Sequence, residues 1–253
     1  MIISYIFIFG LIVGSFLNVL IDRIPKGEDI VFKPSHCDHC RRKLMVLDLI
    51  PLFSFIFLRG RCRYCRTKIS LQNPLVELSC GFLFVYVFSV YSKINSDYWL
   101  LLYQWTVTAA LIVIFTVDLK KRIIPDQIIV FLTVITFIYQ LTYSRGSLFL
   151  TVAIGFITAG VFLFLVLITR GRGMGLGDVK YAFFMGYYLS WPKVLISFYL
   201  AFLTGALLSL ILVIMGRKSL KSTIAFGPFL VVATFIADYY GGTIISYFHK
   251  YFF

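Results

Sequence analysis

Two aspartates, Asp118 and Asp178, stand where a carboxylate is costly, each at the border of a long apolar stretch, in "FTVDLKKRIIPD" and "GRGMGLGD". An ionisable side chain at membrane depth marks a functional site by default. Asp126 lies at a similar border, but it follows Pro125, and a Pro-Asp pair suits the free amides and positive dipole end of a helix start. Asp118 has no such explanation, because it falls at the carboxyl end of its stretch, where a negative charge is disfavoured. Asp178 closes a run in which Gly171, Gly173, Gly175 and Gly177 alternate with larger residues. Glycine lets backbone approach a partner closely, and irregular backbone at membrane depth is tolerated where it is buried in protein or lines a water-filled cavity. A phosphate-binding loop does not fit, since no Rossmann strand precedes the glycines and the lysine spacing is not that of a P-loop. Two carboxylates that meet can share one proton, because like charges a few Å apart cannot both ionise cheaply. One then activates water while the other polarises a peptide carbonyl. That chemistry is proteolysis without a covalent intermediate. Ion-coupled transport also uses membrane carboxylates, and on these residues alone the two readings are level.

The second constellation is Cys37-Asp38-His39-Cys40 with Cys62-Arg63-Tyr64-Cys65, a C-x2-C-x21-C-x2-C pattern. Two such pairs in one small segment suit a tetrahedral zinc, each turn supplying two thiolates. The alternative is a pair of disulfides or a redox couple, which a cytoplasmic setting disfavours. Four protein ligands leave no position for water, so such a zinc folds the segment and does not catalyse. His36 and His39 lie beside the first pair as alternative ligands, and Cys80, in an apolar stretch, reads as a small core residue.

The elements that position these groups are membrane helices. A chain that is 60% hydrophobic and 14% charged cannot hide that much apolar surface in a soluble globule. Four charge-free stretches, 1–21, 98–117, 147–169 and 194–215, each suffice to cross a hydrocarbon core of about 30 Å. Three more carry one acid each: 71–92 with Glu77, 123–144 with Asp126 and 222–248 with Asp238. A short eighth, 181–191, ends at an interfacial Trp191-Pro192 break. The expected architecture is therefore all-α, with about eight transmembrane helices and a small cytoplasmic zinc-binding insert. The domain division is 1–21 as the first helix, 22–70 as the insert and 71–253 as a seven-helix core. With the amino terminus outside, twenty of the 24 Lys/Arg fall in the inner segments 22–70, 118–122, 170–180 and 216–221, as the positive-inside rule requires. Lys93, Arg145, Lys193 and Lys250 remain outside. The +13 net charge thus reflects topology and contact with anionic lipid, and nothing points to nucleic acid. Asp118 and Asp178 both fall on the inner side. Their carboxylates are expected within about one shared water of each other, facing a cavity open to the cytoplasm.

The ordered motifs resemble the type IV prepilin peptidases, membrane proteases of the GxGD type. The resemblance runs through "GSFLNVLIDRIP" (14–25), the tetracysteine insert, "LIPLFSFIFLRGRC" (49–62), "PLVEL" (74–78), "DLKKRIIPD" (118–126), "GLGDVK" (175–180) and "FGPFL" (226–230). It implies that Asp118 and Asp178 are catalytic, with Gly175, Gly177, Lys180 and Asp126 supporting the active-site loop. It also implies cleavage of a short basic leader from prepilins or pseudopilins at the inner membrane of a bacterium. Many members also methylate the new amino terminus from S-adenosylmethionine, and Gly14, Asn18, Arg23 and Glu77 fall in the region implied for that step. The wording around the insert is similar to that of Gram-positive members serving competence pseudopili. Two positions depart from the family's pattern: Ala225 where proline usually precedes "FGPF", and Leu49 where asparagine often precedes "IP". Phe226, Gly227 and Pro228 read as a kink in the last helix. A transporter should show an internal repeat, often inverted, and the glycine loop and cysteine insert each occur once. A non-enzymatic secretion assembly factor would not need the aspartate pair.

Overall fold

The apolar stretches form helices because a helix satisfies every backbone donor and acceptor within its own segment inside lipid. A computed structural model describes residues 1–30, 32–94, 97–143, 147–171, 173–216 and 225–252. Arg145, Arg172, Arg217, Lys218 and Lys221, counted in the charge pattern, lie outside the described residues, as do the expected span limits Ser144 and Ser222. The elements are α1 (Ile2–Arg23), α2 (Phe53–Phe57), α3 (Gln72–Ile94), α4 (Tyr98–Lys121), α5 (Asp126–Tyr143), α6 (Leu148–Ile168), α7 (Leu176–Leu189), α8 (Lys193–Ile214) and α9 (Gly227–Phe252). All but α2 and α7 are long and apolar enough to cross a membrane, which makes a polytopic all-α protein. The expected eighth span, α7, has 14 residues, about 21 Å of helix. The chain divides into two compact units, 1–113 and 114–253.

In the first unit α1 and α3 run antiparallel in backbone contact. A methyl group on Gly10 would lie 2.7 Å from Gly81 Cα, and one on Gly14 would lie 2.7 Å from Glu77 Cα. Small residues spaced by four give this close approach in membranes, where apolar burial no longer favours helix over lipid. Trp105 ties the start of α4 to α3, stacking on Phe84 at 5.3 Å and donating its indole N–H to the Phe84 carbonyl. At the end of α1 the buried Arg23 guanidinium donates to the carbonyls of Asp29, Lys33 and Pro34, 2.7 to 3.1 Å away. It thereby fastens the start of the insert to the helix.

In the second unit α7 is the buried centre, packed against α5, α6, α8 and α9. Tyr181, Ala182, Phe184 and Met185 are each 0% exposed. A helix apolar all round belongs in a core, and its shortness follows from the glycine run before it and the Ser190-Trp191-Pro192 break after it. Two tyrosines bond it to α9: the Tyr181 hydroxyl to Thr234 at 3.0 Å and the Tyr188 hydroxyl to Asp238 at 2.7 Å. Asp238 also faces Lys193, whose ammonium donates to the Asp238 carbonyl at 2.9 Å. This acid therefore has a structural pairing of the kind intramembrane charges need.

Candidate active site

Asp118 lies near the end of α4, 4% exposed, and Asp178 is the third residue of α7, 8% exposed. Both carboxylates line one cavity of about 410 Å³, together with Arg122, Ile124, Asp126, Lys180 and Phe226. The two charges are close enough to interact. Each carboxylate is held by a backbone amide at a helix start. Asp178 Oδ2 accepts from the Gly175 N–H at 2.9 Å, closing the first turn of α7 on itself. Asp118 Oδ2 accepts from the Gly227 N–H at 3.0 Å, at the first turn of α9. A free helix-start amide favours a negative charge, which resolves the awkward place of Asp118 on its own helix: it sits at the carboxyl end of α4 but against the amino end of α9.

The wall is built by close backbone approach. A Cβ on Gly177 would meet Ile124 Cβ at 3.3 Å, so this glycine lets α7 lie against the link between α4 and α5. At the rim the Lys180 ammonium donates to Asp126 Oδ2 at 2.7 Å, joining α7 to the start of α5. Both side chains are more than half exposed, and an ion pair of that kind contributes about 0–1 kcal/mol. Asp126 opens α5, as its position after Pro125 suggests.

The structure corrects one expectation here. Phe226, Gly227 and Pro228 do not kink the last helix but begin it, with the Phe229 and Leu230 amides bonded to the Phe226 carbonyl. Gly227 is the residue that sequence reasoning missed. A Gly-Pro pair just ahead of an apolar run is a helix-start signal, and reading it as one would have placed an amide at that depth.

In the first unit the four cysteine sulfurs lie within 4.8 Å of one another and could hold a metal ion. Cys37 and Cys65 sulfurs are 3.8 Å apart, the edge of a tetrahedron with metal–sulfur bonds of about 2.3 Å. Two like turns present them. Cys37 N–H bonds to the Arg42 carbonyl and Arg41 N–H to the Cys37 carbonyl; Cys62 N–H bonds to Thr67 and Arg66 N–H to Cys62 in the same way. Arg41 and Arg66 take positive φ at matching places, and single bridges His36–Lys43 and Arg61–Lys68 close the two turns. The Thr67 hydroxyl and amide hold the Cys65 thiol down to about 6, which favours the thiolate that binds metal. Cys80 is fully buried in α3, with its Cβ against Gly14.

Gly14, Asn18 and Glu77 gather where α1 meets α3, and Arg23 sits at the end of α1. Gly14, like Gly10, is a point of close helix approach. The Asn18 amide donates to the carbonyls of Gly14 and Asn73 and accepts from Gln72. Glu77 accepts from the Leu52 N–H at 2.9 Å and from the Ser15 hydroxyl. The bond from Leu52 seats the "LIPLFSF" segment on α3. Gln72 Oε1 is buried in the same cluster with no donor among the described residues.

A multi-pass helical protein with two carboxylates on the wall of one cavity has the architecture that membrane-embedded proteases and ion-coupled transporters share, and similarity to known proteins decides between them. The chain belongs to the type IV leader peptidase family and is a peptidase. The model of that family matches residues 105–210, and the model of the bacterial peptidase A24 N-terminal domain matches residues 8–91. Along 98% of its length the chain is 33% identical to the prepilin leader peptidase/N-methyltransferase of Bacillus subtilis (strain 168), covering 98% of that protein. It is 30% identical to the enzyme of the same name from Aeromonas hydrophila, over 97% of the chain and 93% of the relative. For the Stutzerimonas stutzeri enzyme of that name the identity is 28%, over 94% and 91%. No solved structure matches the chain.

Proposed function

We propose that the chain hydrolyses the peptide bond joining a short basic leader to a prepilin or pseudopilin, with Asp118 and Asp178 as its catalytic pair, and methylates the amine so exposed. The observation that carries the reading is that two aspartates from different helices line one cavity, each with its carboxylate already oriented by an amide. One carboxylate takes a proton from water as the oxygen attacks the scissile carbonyl. The other, protonated, hydrogen-bonds the carbonyl oxygen and then supplies a proton to the leaving amine. No acyl-enzyme forms.

The cavity draws its wall from 118–126, 171–180 and 225–226, segments expected on the inner side with the Lys/Arg-rich insert. This supports a plasma-membrane orientation with the amino terminus outside, and a leader held in the cytoplasm by its own basic charge reaches the pair from that face. The four cysteines are assigned a structural zinc. For methyl transfer, the cluster between α1 and α3 offers Gln72 Oε1 without a donor and Glu77 without a cation among the described residues, acceptors that fit a cationic group. S-adenosylmethionine, when bound, supplies an activated methyl group. Asn18 and Arg23 spend their donors on backbone carbonyls, so their part is to hold the cluster and the insert in place.

The reading is tested by coexpressing the chain with a prepilin and weighing the product's amino terminus. Loss of the leader and gain of one methyl group are expected. An intact precursor would overturn the peptidase assignment for that substrate class, and a mature but unmethylated product would remove the transferase half alone. Within the loop, Gly177→Ala is expected to slow cleavage several-fold by pushing on Ile124. Gly175→Ala should keep wild-type cleavage, since its new Cβ would meet nothing nearer than 3.8 Å. Asp126→Asn should likewise be mild, because the pair it breaks is solvent-exposed.

A further inference from the structure

The two aspartates are not placed alike. In the first turn of α9, Pro228 has no N–H, and the amides of Phe229 and Leu230 turn back to the Phe226 carbonyl. The Gly227 N–H therefore points out of the turn, and it points at Asp118 Oδ2. Any side chain there would displace the carboxylate: a Cβ on Gly227 would lie 2.6 Å from that oxygen and 2.9 Å from Cγ. The positive end of α9 thus meets Asp118 at contact distance, as the first turn of α7 meets Asp178, but the amide on Asp118 comes from a separate helix, and the neighbouring charges differ. The Arg122 charge, one turn further along, also acts on Asp118. Asp178 has an amide bond too, but within its own turn, and among the described residues the charge that reaches it is that of Asp118. Among the described residues the other ionisable groups on the cavity wall, Lys180 and Asp126, are paired with each other.

We infer that Gly227 is a positioning residue that makes Asp118 the ionised member of the pair and leaves the shared proton on Asp178. Resting on the proposed peptidase reading, this assigns roles. Asp118 removes the proton from the attacking water, and Asp178 hydrogen-bonds the scissile carbonyl and later protonates the leaving amine. The fixed amide also prevents Asp118 from turning away between turnovers, because losing it would leave a buried donor and a buried anion each without a partner.

The test does not depend on substrate. The purified full chain in lipid vesicles is treated at neutral pH with dicyclohexylcarbodiimide, which adds to protonated carboxyls in apolar surroundings, and the labelled peptides are identified by mass. Label is expected on Asp178 and not on Asp118. In Gly227→Ala, whose backbone still suits a helix, label should appear on Asp118. Cleavage by that variant should show kcat lower by about 10²-fold, the effect of losing one preorganised donor, with KM unchanged. Label on Asp118 in the unaltered chain would overturn the inference even if Gly227→Ala failed to fold. So would a folded Gly227→Ala with unchanged labelling and kcat. Because labelling is read on the free protein, failure to cleave a given prepilin would leave the proton assignment standing and count against the substrate alone.

Discussion

Asp118→Asn and Asp178→Asn are each expected to lower leader cleavage by about 10³-fold or more, since each removes one partner of a proton-sharing pair. Neither should unfold the protein. An asparagine carbonyl oxygen can still accept the amide that each carboxylate now accepts, from Gly227 and from Gly175, and it carries no charge into a buried position. The double variant should be no slower than the worse single one, because groups that act as a unit do not add. Cleavage of a pseudopilin in vesicles, followed alongside the thermal melting of each variant, gives the comparison. A folded single variant that cuts at near wild-type rate would end the assignment of that aspartate.

The largest effect on structure is expected at the cysteines. Replacing the buried Cys62, or any of Cys37, Cys40 and Cys65, by serine should remove the metal and expose the insert to proteolysis. Metal binding supplies about 10–16 kcal/mol of apparent folding energy in zinc-finger peptides, far more than so small a segment could recover by packing. Cys80→Ser should leave the metal in place, because Cys80 lies buried in α3 and outside the four-sulfur cluster. Elemental analysis of the purified chain should find one zinc for each protein. Four reduced thiols with no metal would remove the site and its proposed structural role together.

Much of this architecture was legible because lipid enforces simple rules. All eight expected spans appear as helices, seven of them long and apolar enough to cross a membrane, since a stretch that long and apolar satisfies its own backbone in lipid as a helix. Asp118 stood out as a charge at the wrong end of a helix, and the paired cysteines by a spacing that only a compact turn makes useful. What stayed hidden depends on helices distant in sequence. Lys180 and Asp126 pair across 54 positions, and no periodicity announces an ion pair of that kind. Gly227 was read as a kink because a Gly-Pro pair either bends a helix or begins one, and only the start of α9 against Asp118 decides between them. Gly14 illustrates the opposite limit: its motif drew attention to chemistry, while its immediate surroundings require a residue without a side chain.

The bond from Gly227 to Asp118 spans 109 positions of chain, and Asp178 lies between its ends. A protein made from its amino terminus therefore brings both aspartates into the membrane before the helix that holds the first of them exists. During that interval the nascent chain has both acids and no finished site. On the proposed reading Asp118 is oriented only once α9 has docked, so the rate of cleavage reports how far the second unit has assembled.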